Sequence, residues 1–245
     1  MGARHLALVM VVAVPATAHA GRTFYGWLQD TQVMPERGAE IQTFVSEENY
    51  QGPANNRDTT WWLSPAIGIN DQLELELPVQ FAWDRADGVA PRSNFVSYGA
   101  QLKYRFVTAD PVDAPDFVPA VRFSIDRIVI GPRDVWAPEV DLIGTYQSGI
   151  VHSAINAGVL GLVGPNAQNF EVHTGAGVSV ETISDIRVGA EIFAELALQS
   201  DSNGDWVAIG PNISWSHGRS WLSASYGIGI YQIRDAPKLN WGIAF

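Results

Sequence analysis

Cysteine is missing altogether from this chain of 245 residues. That excludes disulfides and thiolate-held metals, and it suits a protein that passes through an oxidising periplasm. Positive charge is scarce: 15 Lys and Arg stand against 26 Asp and Glu, for a formal net charge of −11. A nucleic-acid binder would need a basic stripe, so no nucleic-acid partner is expected. Long apolar runs are lacking beyond residue 20, so no later segment reaches the roughly 20 residues of a membrane-spanning helix. If such a chain crosses a membrane, it does so as a closed barrel. No phosphate loop, HExxH pair or nucleophile elbow occurs either, so the sequence points to a non-enzyme without a cofactor or bound metal.

What is present begins with Met1 to Ala20. Arg4 and His5 give a short polar start, Leu6 to Val14 an apolar run, and Ala18-His19-Ala20 a small-x-small cleavage site. This reads as a secretory signal peptide at 1–20. Residues 21–37 have aromatics but no clean alternation, and read as a periplasmic lead-in or lumen segment. Residues 38–245 read as the barrel.

The clearest pattern is Gln72 to Trp83, QLELELPVQFAW, in which every odd position is apolar: Leu73, Leu75, Leu77, Val79, Phe81 and Trp83. A period of two sends alternate side chains to opposite faces of a strand. The stretch exceeds a usual soluble strand and matches the roughly nine to eleven residues of a tilted membrane-crossing one. The same alternation predicts strands over 38–46, 59–69, 72–83, 95–107, 117–129 and 135–147, then 153–163, 169–180, 186–198, 206–215, 221–231 and 238–245. That makes about twelve, an even number as in closed bacterial barrels. The expected fold is all-β, a closed antiparallel transmembrane barrel in the outer membrane of a Gram-negative bacterium, with lipid as its surrounding partner.

The connections fit this reading. Asn70-Asp71, 148–152, 181–185 and 216–220 are short and carry turn residues, whereas 47–58, 84–94 and 199–205 are longer and polar. The segments 108–116 and 130–134 break the short–long alternation. Outward-facing aromatics sort to two heights: Trp61, Phe81, Trp83, Trp136 and Phe170 towards one rim, and Tyr104, Phe106, Phe117, Tyr146, Trp215 and Phe245 towards the other. Two aromatic girdles are expected at the headgroup depths of a bilayer. A soluble sandwich would have no reason to segregate them.

The chain ends KLNWGIAF, with Leu239, Trp241, Ile243 and Phe245 alternating outward. This resembles the terminal-phenylalanine signature of bacterial outer-membrane proteins and implies the barrel-insertion machinery as a partner through Phe245. Two further stretches are DTQVMPERG over 30–38, and the pair GINDQLELELP (68–78) and YGAQLKYRF (98–106). They resemble the lead-in and second hairpin of outer-membrane transporters related to the MetA-pathway phenol-degradation family. The resemblance covers about the first half of the mature chain and implies transport of a small-molecule solute without naming one.

The inward alternate supplies the candidate lumen lining: Glu74, Glu76, Lys103, Arg105, Arg122, Asp126, Glu139, Asp141, Glu171, His173, Arg187, Glu191 and Glu195. A hairpin folded about residues 89 and 90 would set Glu76 opposite Lys103 and Glu74 opposite Arg105, and Arg122 would face Asp141. Such pairs read as a selective constriction or, preferentially, as salt bridges holding the barrel shut. A turn at 181–185 would set Glu171 opposite Glu195, with Glu191 near Gly175, giving an acidic vestibule that favours cations or neutral solutes. Small inward residues (Gly158, Gly175, Gly177, Gly189, Gly210, Gly227, Gly229, Gly242, Ser214, Ser223 and Ser225) would leave an off-centre passage along one wall.

Two enzyme-like or metal-like features are weighed against this. Barrel phospholipases of the outer membrane use a His and a nearby Ser on one outward face. The adjacent pair His152-Ser153 departs from that pattern, since neighbours in a strand leave on opposite faces. Asp201, Asn203 and Asp205 in DSNGD have oxygens at alternate positions, but the remaining calcium ligands are absent. The expected function is therefore an outer-membrane channel or transporter for small solutes through a narrow charged lumen. The competing reading is a closed structural or adhesive barrel whose loops bind a partner.

Overall fold

A computed structural model describes residues 23–51, 57–85, 92–107, 116–129, 135–165, 167–199 and 205–245. The expected signal peptide, most of the longer connections, and Asp201 and Asn203 of the DSNGD stretch lie outside these residues. The strands are β1 (Ala39–Tyr50), β2 (Arg57–Asn70), β3 (Leu73–Glu76), β4 (Val79–Arg85), β5 (Arg92–Arg105), β6 (Phe117–Ile128) and β7 (Val135–Ser148). They continue with β8 (Val151–Gly164), β9 (Ala167–Ile183), β10 (Ile186–Ala197), β11 (Trp206–His217), β12 (Ser220–Tyr231) and β13 (Ile233–Ala244). All pairings are antiparallel, and β1 joins both β2 and β13, so the sheet closes on itself.

β3 and β4 are two halves of one stave. They part at Leu77-Pro78, where proline has no N–H to give to a ladder. The chain remains paired across the break, because Leu77 N–H donates to Pro65 O at 3.0 Å and Gly99 N–H to Pro78 O at 3.1 Å. Counted as staves, the thirteen segments form a closed barrel of twelve.

Tight turns depend on residues held at positive φ: Gly149 at 56°, Asp185 at 72°, Gly218 at 58° and Gln232 at 54°. The first three lie at the rim that also carries Ala39 and Ala244, called the lower rim below; Gln232 lies at the upper. Three expectations change here. The 148–152 connection is only Gly149-Ile150, so His152 belongs to β8 and points inward. The last strand starts at Ile233 rather than 238, because a turn at Gln232 lets Asp235 and Pro237 pair with β12. The first strand runs on to Tyr50, past the expected end at 46.

The two faces invert the pattern of a soluble protein. Leu142 is 64% exposed and Ile155 57%, whereas Glu74 is fully buried and Asp141 5% exposed. Exposed apolar side chains continue all round the wall, from Ile41 and Ile67 through Leu102, Phe123 and Ile213 to Ile243. Water would not tolerate so large a contiguous apolar surface, but a bilayer would. Trp61 stacks on Phe81 and Phe81 meets Phe95, each with centroids 5.3 Å apart, towards the upper rim. Trp83 and Trp136 share that half of the outward alternate, while Tyr104, Phe106, Tyr146, Trp215 and Phe245 are exposed near the lower rim.

Candidate functional site

The lumen is partly filled by the chain's own N-terminal segment. At the lower rim Arg37, with φ of 64°, turns the chain back into the barrel; its N–H donates to Gly68 O at 3.2 Å and Gly38 N–H to Pro35 O at 2.9 Å. Gly68 is required there, since a Cβ would fall on the Pro35 carbonyl. From Met34 upward the segment has no helix or strand, so each buried peptide group must find its own partner.

Side chains of the wall supply those partners. Met34 N–H donates to Glu74 at 2.7 Å, and Lys103, 3.9 Å from the same carboxylate, donates to Gln32 O at 3.4 Å. Thr31 and Thr145 hydroxyls meet at 2.6 Å. Asn156 closes on Gln29 from both sides, accepting from its N–H at 2.5 Å and donating to its carbonyl at 3.0 Å. Glu191 accepts three successive backbone N–H groups, from Gly26 at 2.8 Å, Trp27 at 3.1 Å and Leu28 at 3.2 Å. Asn240 donates to the carbonyls of Tyr25 at 3.2 Å and Gly26 at 2.9 Å. Trp27 Nε1 reaches Ala236 O at 3.0 Å. The segment then turns back on itself, with the Thr23 hydroxyl donating to Leu28 O at 3.1 Å.

An apolar cluster completes the seat. Tyr25, Trp27 and Leu28 pack with Ala154, Phe193, Trp206, Ala208, Ile233 and Ala236, and the Trp27 ring stacks on Phe193 at 5.4 Å. A Cβ on Gly175 would strike Leu28, and one on Gly177 would strike both Tyr25 and Leu28. Gly175, Gly177, Ser223 and Ser225 are therefore part of the seat of this segment, whereas a Cβ on Gly158, Gly189 or Gly242 would meet the wall itself, at Asp141, Val178 and Trp221. Tyr25 OH donates to His152 O at 3.0 Å and lies 3.1 Å from His152 Nδ1, while His152 Nε2 is 3.4 Å from Asp30. Burial pushes the Tyr25 phenol above its ordinary range, so it remains a neutral donor.

Beside the segment lies a cavity of about 300 Å³. It is lined by Gln42, Phe44, Ser46, Thr60, Trp62, Gln80 and Gln101 on one side, and by Gly26 to Gln29 on the other. Six carboxylates (Glu48, Glu76, Asp126, Glu139, Asp141 and Glu195) and three basic side chains (Arg122, His173 and Lys238) face it. Arg122 is fully engaged. Its guanidinium lies 2.7 Å from both Glu139 and Asp141 and donates to Gln101 at 3.2 Å. Glu139 also accepts from Ser124 at 3.1 Å and lies 3.4 Å from His173 Nδ1.

All thirteen predicted lining residues fall on the inward alternate, but not all in the predicted pairs. Arg122 stands opposite Asp141. Glu74, however, pairs with Lys103, and Glu76 with Gln101, a slip of two from the expected register. Towards the upper rim the pairing is already three positions from the expected register, with Phe81 opposite Phe95, and the bulge between Gln80 and Phe81 restores one of the three. Likewise Glu195 stands opposite His173, Glu171 opposite Ala197, and Glu191 opposite Gly177. The turn there is tighter than 181–185, and a bulge follows at Ile186/Arg187. The expected clash of Glu171 with Glu195 is thereby replaced by His173, 3.9 Å from Glu171.

Arg187 sits low, donating to Glu181 at 3.1 Å and Ile150 O at 2.8 Å beneath the Phe24 ring. Arg105 is inward at the lower end of β5, and Asp126 stands opposite Gly99. Asp205 accepts from Ala197 N–H at 2.6 Å, a local turn contact.

Sequence reasoning missed Lys238, whose ammonium lies 4.6 Å from the Trp27 ring and 4.1 Å from that of Phe44. It also missed Glu40, which accepts from Trp221 Nε1 at 2.6 Å, and the stacked pair Phe44 and Trp62, 5.2 Å apart. The outward alternation of Leu239, Trp241, Ile243 and Phe245 already implied an inward Lys238, but its place at the expected start of the last strand set it at a rim rather than in the lumen.

No protein-family model matches the chain, and no curated protein does; the MetA-pathway resemblance therefore has no counterpart there. Solved structures do match in fold. The β domain of the Bordetella autotransporter BrkA aligns at 12% identity with a TM-score of 0.54, covering 85% of this chain and 99% of its own. The KdgM porin aligns at 10% identity with a TM-score of 0.52, over 84% of this chain and 99% of its own. The translocator domain of autotransporter NalP from Neisseria meningitidis aligns at 10% identity with a TM-score of 0.52, over 85% and 87%. By fold, then, this chain is a closed antiparallel β-barrel of the kind seen in these porin and autotransporter domains.

Proposed function

We propose that this chain is an outer-membrane channel for small solutes, narrowed by its own N-terminal segment and preferring cations or neutral molecules. The observation that carries this reading is the charged cavity beside the docked segment, enclosed by a barrel with an apolar exterior. A barrel built only as a scaffold has no need of such a cavity, because about eight staves suffice for a filled interior. The porin among the similar folds supports passage of solute. The preference follows from six carboxylates facing three basic side chains, since a low-dielectric wall focuses the field of its charges on a permeant. Lipid covers the exterior, and Phe245, exposed at the end of the last stave, is the element offered to the insertion machinery.

The test is current across a planar bilayer holding the refolded barrel, with a salt gradient to read selectivity. The expected result is small steps with a cation-selective reversal potential. Anion selectivity would refute the charge reading. A silent barrel, shown folded by heat-modifiable gel mobility, would refute the channel and favour the closed, loop-binding alternative.

A further inference from the structure

We infer that the seat of the N-terminal segment is built to let go: Asn212 and Ser225 lie without partners beneath the docked segment and are satisfied when it leaves, so the segment is a displaceable gate rather than a permanent plug. This rests on the channel reading only for what the gate controls; docking and release belong to the folded barrel whether or not current flows.

Gly26 fixes the path of the segment across the wall. Its N–H donates to Glu191 on β10 at 2.8 Å, while a Cβ on it would fall on the Ser225 side chain of β12. β11 runs between those two staves, and on it Asn212 stands opposite Ser225 on one side and Gly189 on the other. The segment therefore passes over Asn212. Asn212 is 4% exposed and Ser225 7%, yet among the described residues neither end of the Asn212 amide and no atom of the Ser225 hydroxyl has a hydrogen-bond partner. The rest of the seat behaves differently. Asn156, Glu191, Ser223 and Asn240 are also buried, and each is engaged by the backbone of the segment.

The seat thus holds polar groups that reward docking and polar groups that oppose it. A side-chain amide offers two donors and an acceptor oxygen, all served by water when it is exposed. Burying it without partners forfeits those bonds, at a cost comparable to what a hydrogen bond of the docked segment gains. An apolar residue would escape the cost, and the same face of the wall has such residues close by, at Ala208 on β11 and Ile233 on β13. Withdrawal of the segment opens Asn212 and Ser225 to the water of the lumen. The apolar cluster around Trp27 and the three bonds to Glu191 pull one way, and the unpaired groups beneath Gly26 pull the other.

The experiment is hydrogen exchange of the folded barrel in detergent, following the amides of Gly26, Trp27 and Leu28. When docking is fast, their exchange follows the released fraction. In the unaltered protein they should exchange about tenfold or more faster than the ladder amides of β10, because release leaves the staves paired. Equal rates would mean that the segment leaves only when the barrel unfolds, and would overturn the inference. Asn212→Leu should slow the three amides by about tenfold and Ser225→Ala severalfold, whereas Asn156→Leu, which removes a partnered group, should speed them. Opposite effects at two inward asparagines would not arise if both merely supported the fold. Unchanged or faster exchange in Asn212→Leu would show that the amide is already satisfied while docked, and would overturn the inference. Ser225→Ala, a loss of one atom, carries the same test if the leucine variant does not fold. A barrel that passes no current but shows these shifts would refute the channel and leave the release standing.

Discussion

Replacing Glu191 by alanine should release the N-terminal segment from the lumen while leaving the barrel closed. The carboxylate is 4% exposed and accepts three consecutive N–H groups, from Gly26, Trp27 and Leu28. Without it those donors lose their acceptor in a place where few others can reach them. A buried unsatisfied donor costs about 1–3 kcal/mol, and water from the adjoining cavity would satisfy part of the demand. The docked state should then weaken by roughly 3–5 kcal/mol, which shifts the docked-to-released ratio by about 10²- to 10⁴-fold. Glu191→Gln should do less. One amide oxygen can still serve Trp27 and Leu28, and only the Gly26 N–H then faces another donor.

The absence of cysteine makes the measurement clean, because a single Thr31→Cys reports on docking without a background thiol. Thr31 is 2% exposed when docked, so modification of the thiol by a maleimide follows the released fraction when docking is fast. Modification should accelerate in Glu191→Ala on an otherwise folded barrel, and the single-channel current should rise with it. If the thiol reacts at the parent rate, the three hydrogen bonds do not hold the segment and the reasoning fails.

Gly177→Leu should produce the same release by another route, since its side chain would occupy the space of Tyr25 and Leu28; an unchanged Thr31→Cys modification rate would refute the reading of the glycine wall as a seat. Arg122→Gln should destabilise the barrel by about 3–5 kcal/mol, because it leaves Glu139 and Asp141 buried side by side without their cation. An unchanged denaturant midpoint in detergent would show that water already compensates those carboxylates.

The staves were legible because their alternation is enforced from both sides, by apolar surroundings outside and polar groups within. Leu73, Leu75 and Leu77 against Glu74 and Glu76 leave no other facing. Registers were legible only where nothing intervenes between the turn and the pair. Arg122 and Asp141 met as expected, but the other two hairpins start three positions from the expected register, with Phe81 opposite Phe95 and Ile186 opposite Ile183, and a one-residue bulge in each restores only one, so Glu76 and Glu195 end two positions off. No periodicity announces a bulge. The docked segment was less legible still. Its peptide groups are satisfied singly, by Glu74, Asn156, Glu191 and Asn240 from distant staves, and such a scatter has no signature along the chain. Gly175 and Gly177 were visible as small residues, but smallness alone does not say whether the room they leave is empty or taken.

The turn at Arg37 and Gly38 joins the segment to β1 by unbroken chain. An inhibitor in solution occupies its site according to its concentration, and dilution removes it. A tethered one has an effective concentration fixed by the length of its leash, in the millimolar range for short flexible connections. Release from the lumen is therefore always provisional, since the displaced loop remains within reach of its seat. Among the described residues its backbone hydrogen bonds to the staves are confined to the stretch around Gly68, so it can leave and return while the twelve staves stay paired. The balance between the two positions is then a property of each single molecule, the same in a sparse membrane as in a crowded one.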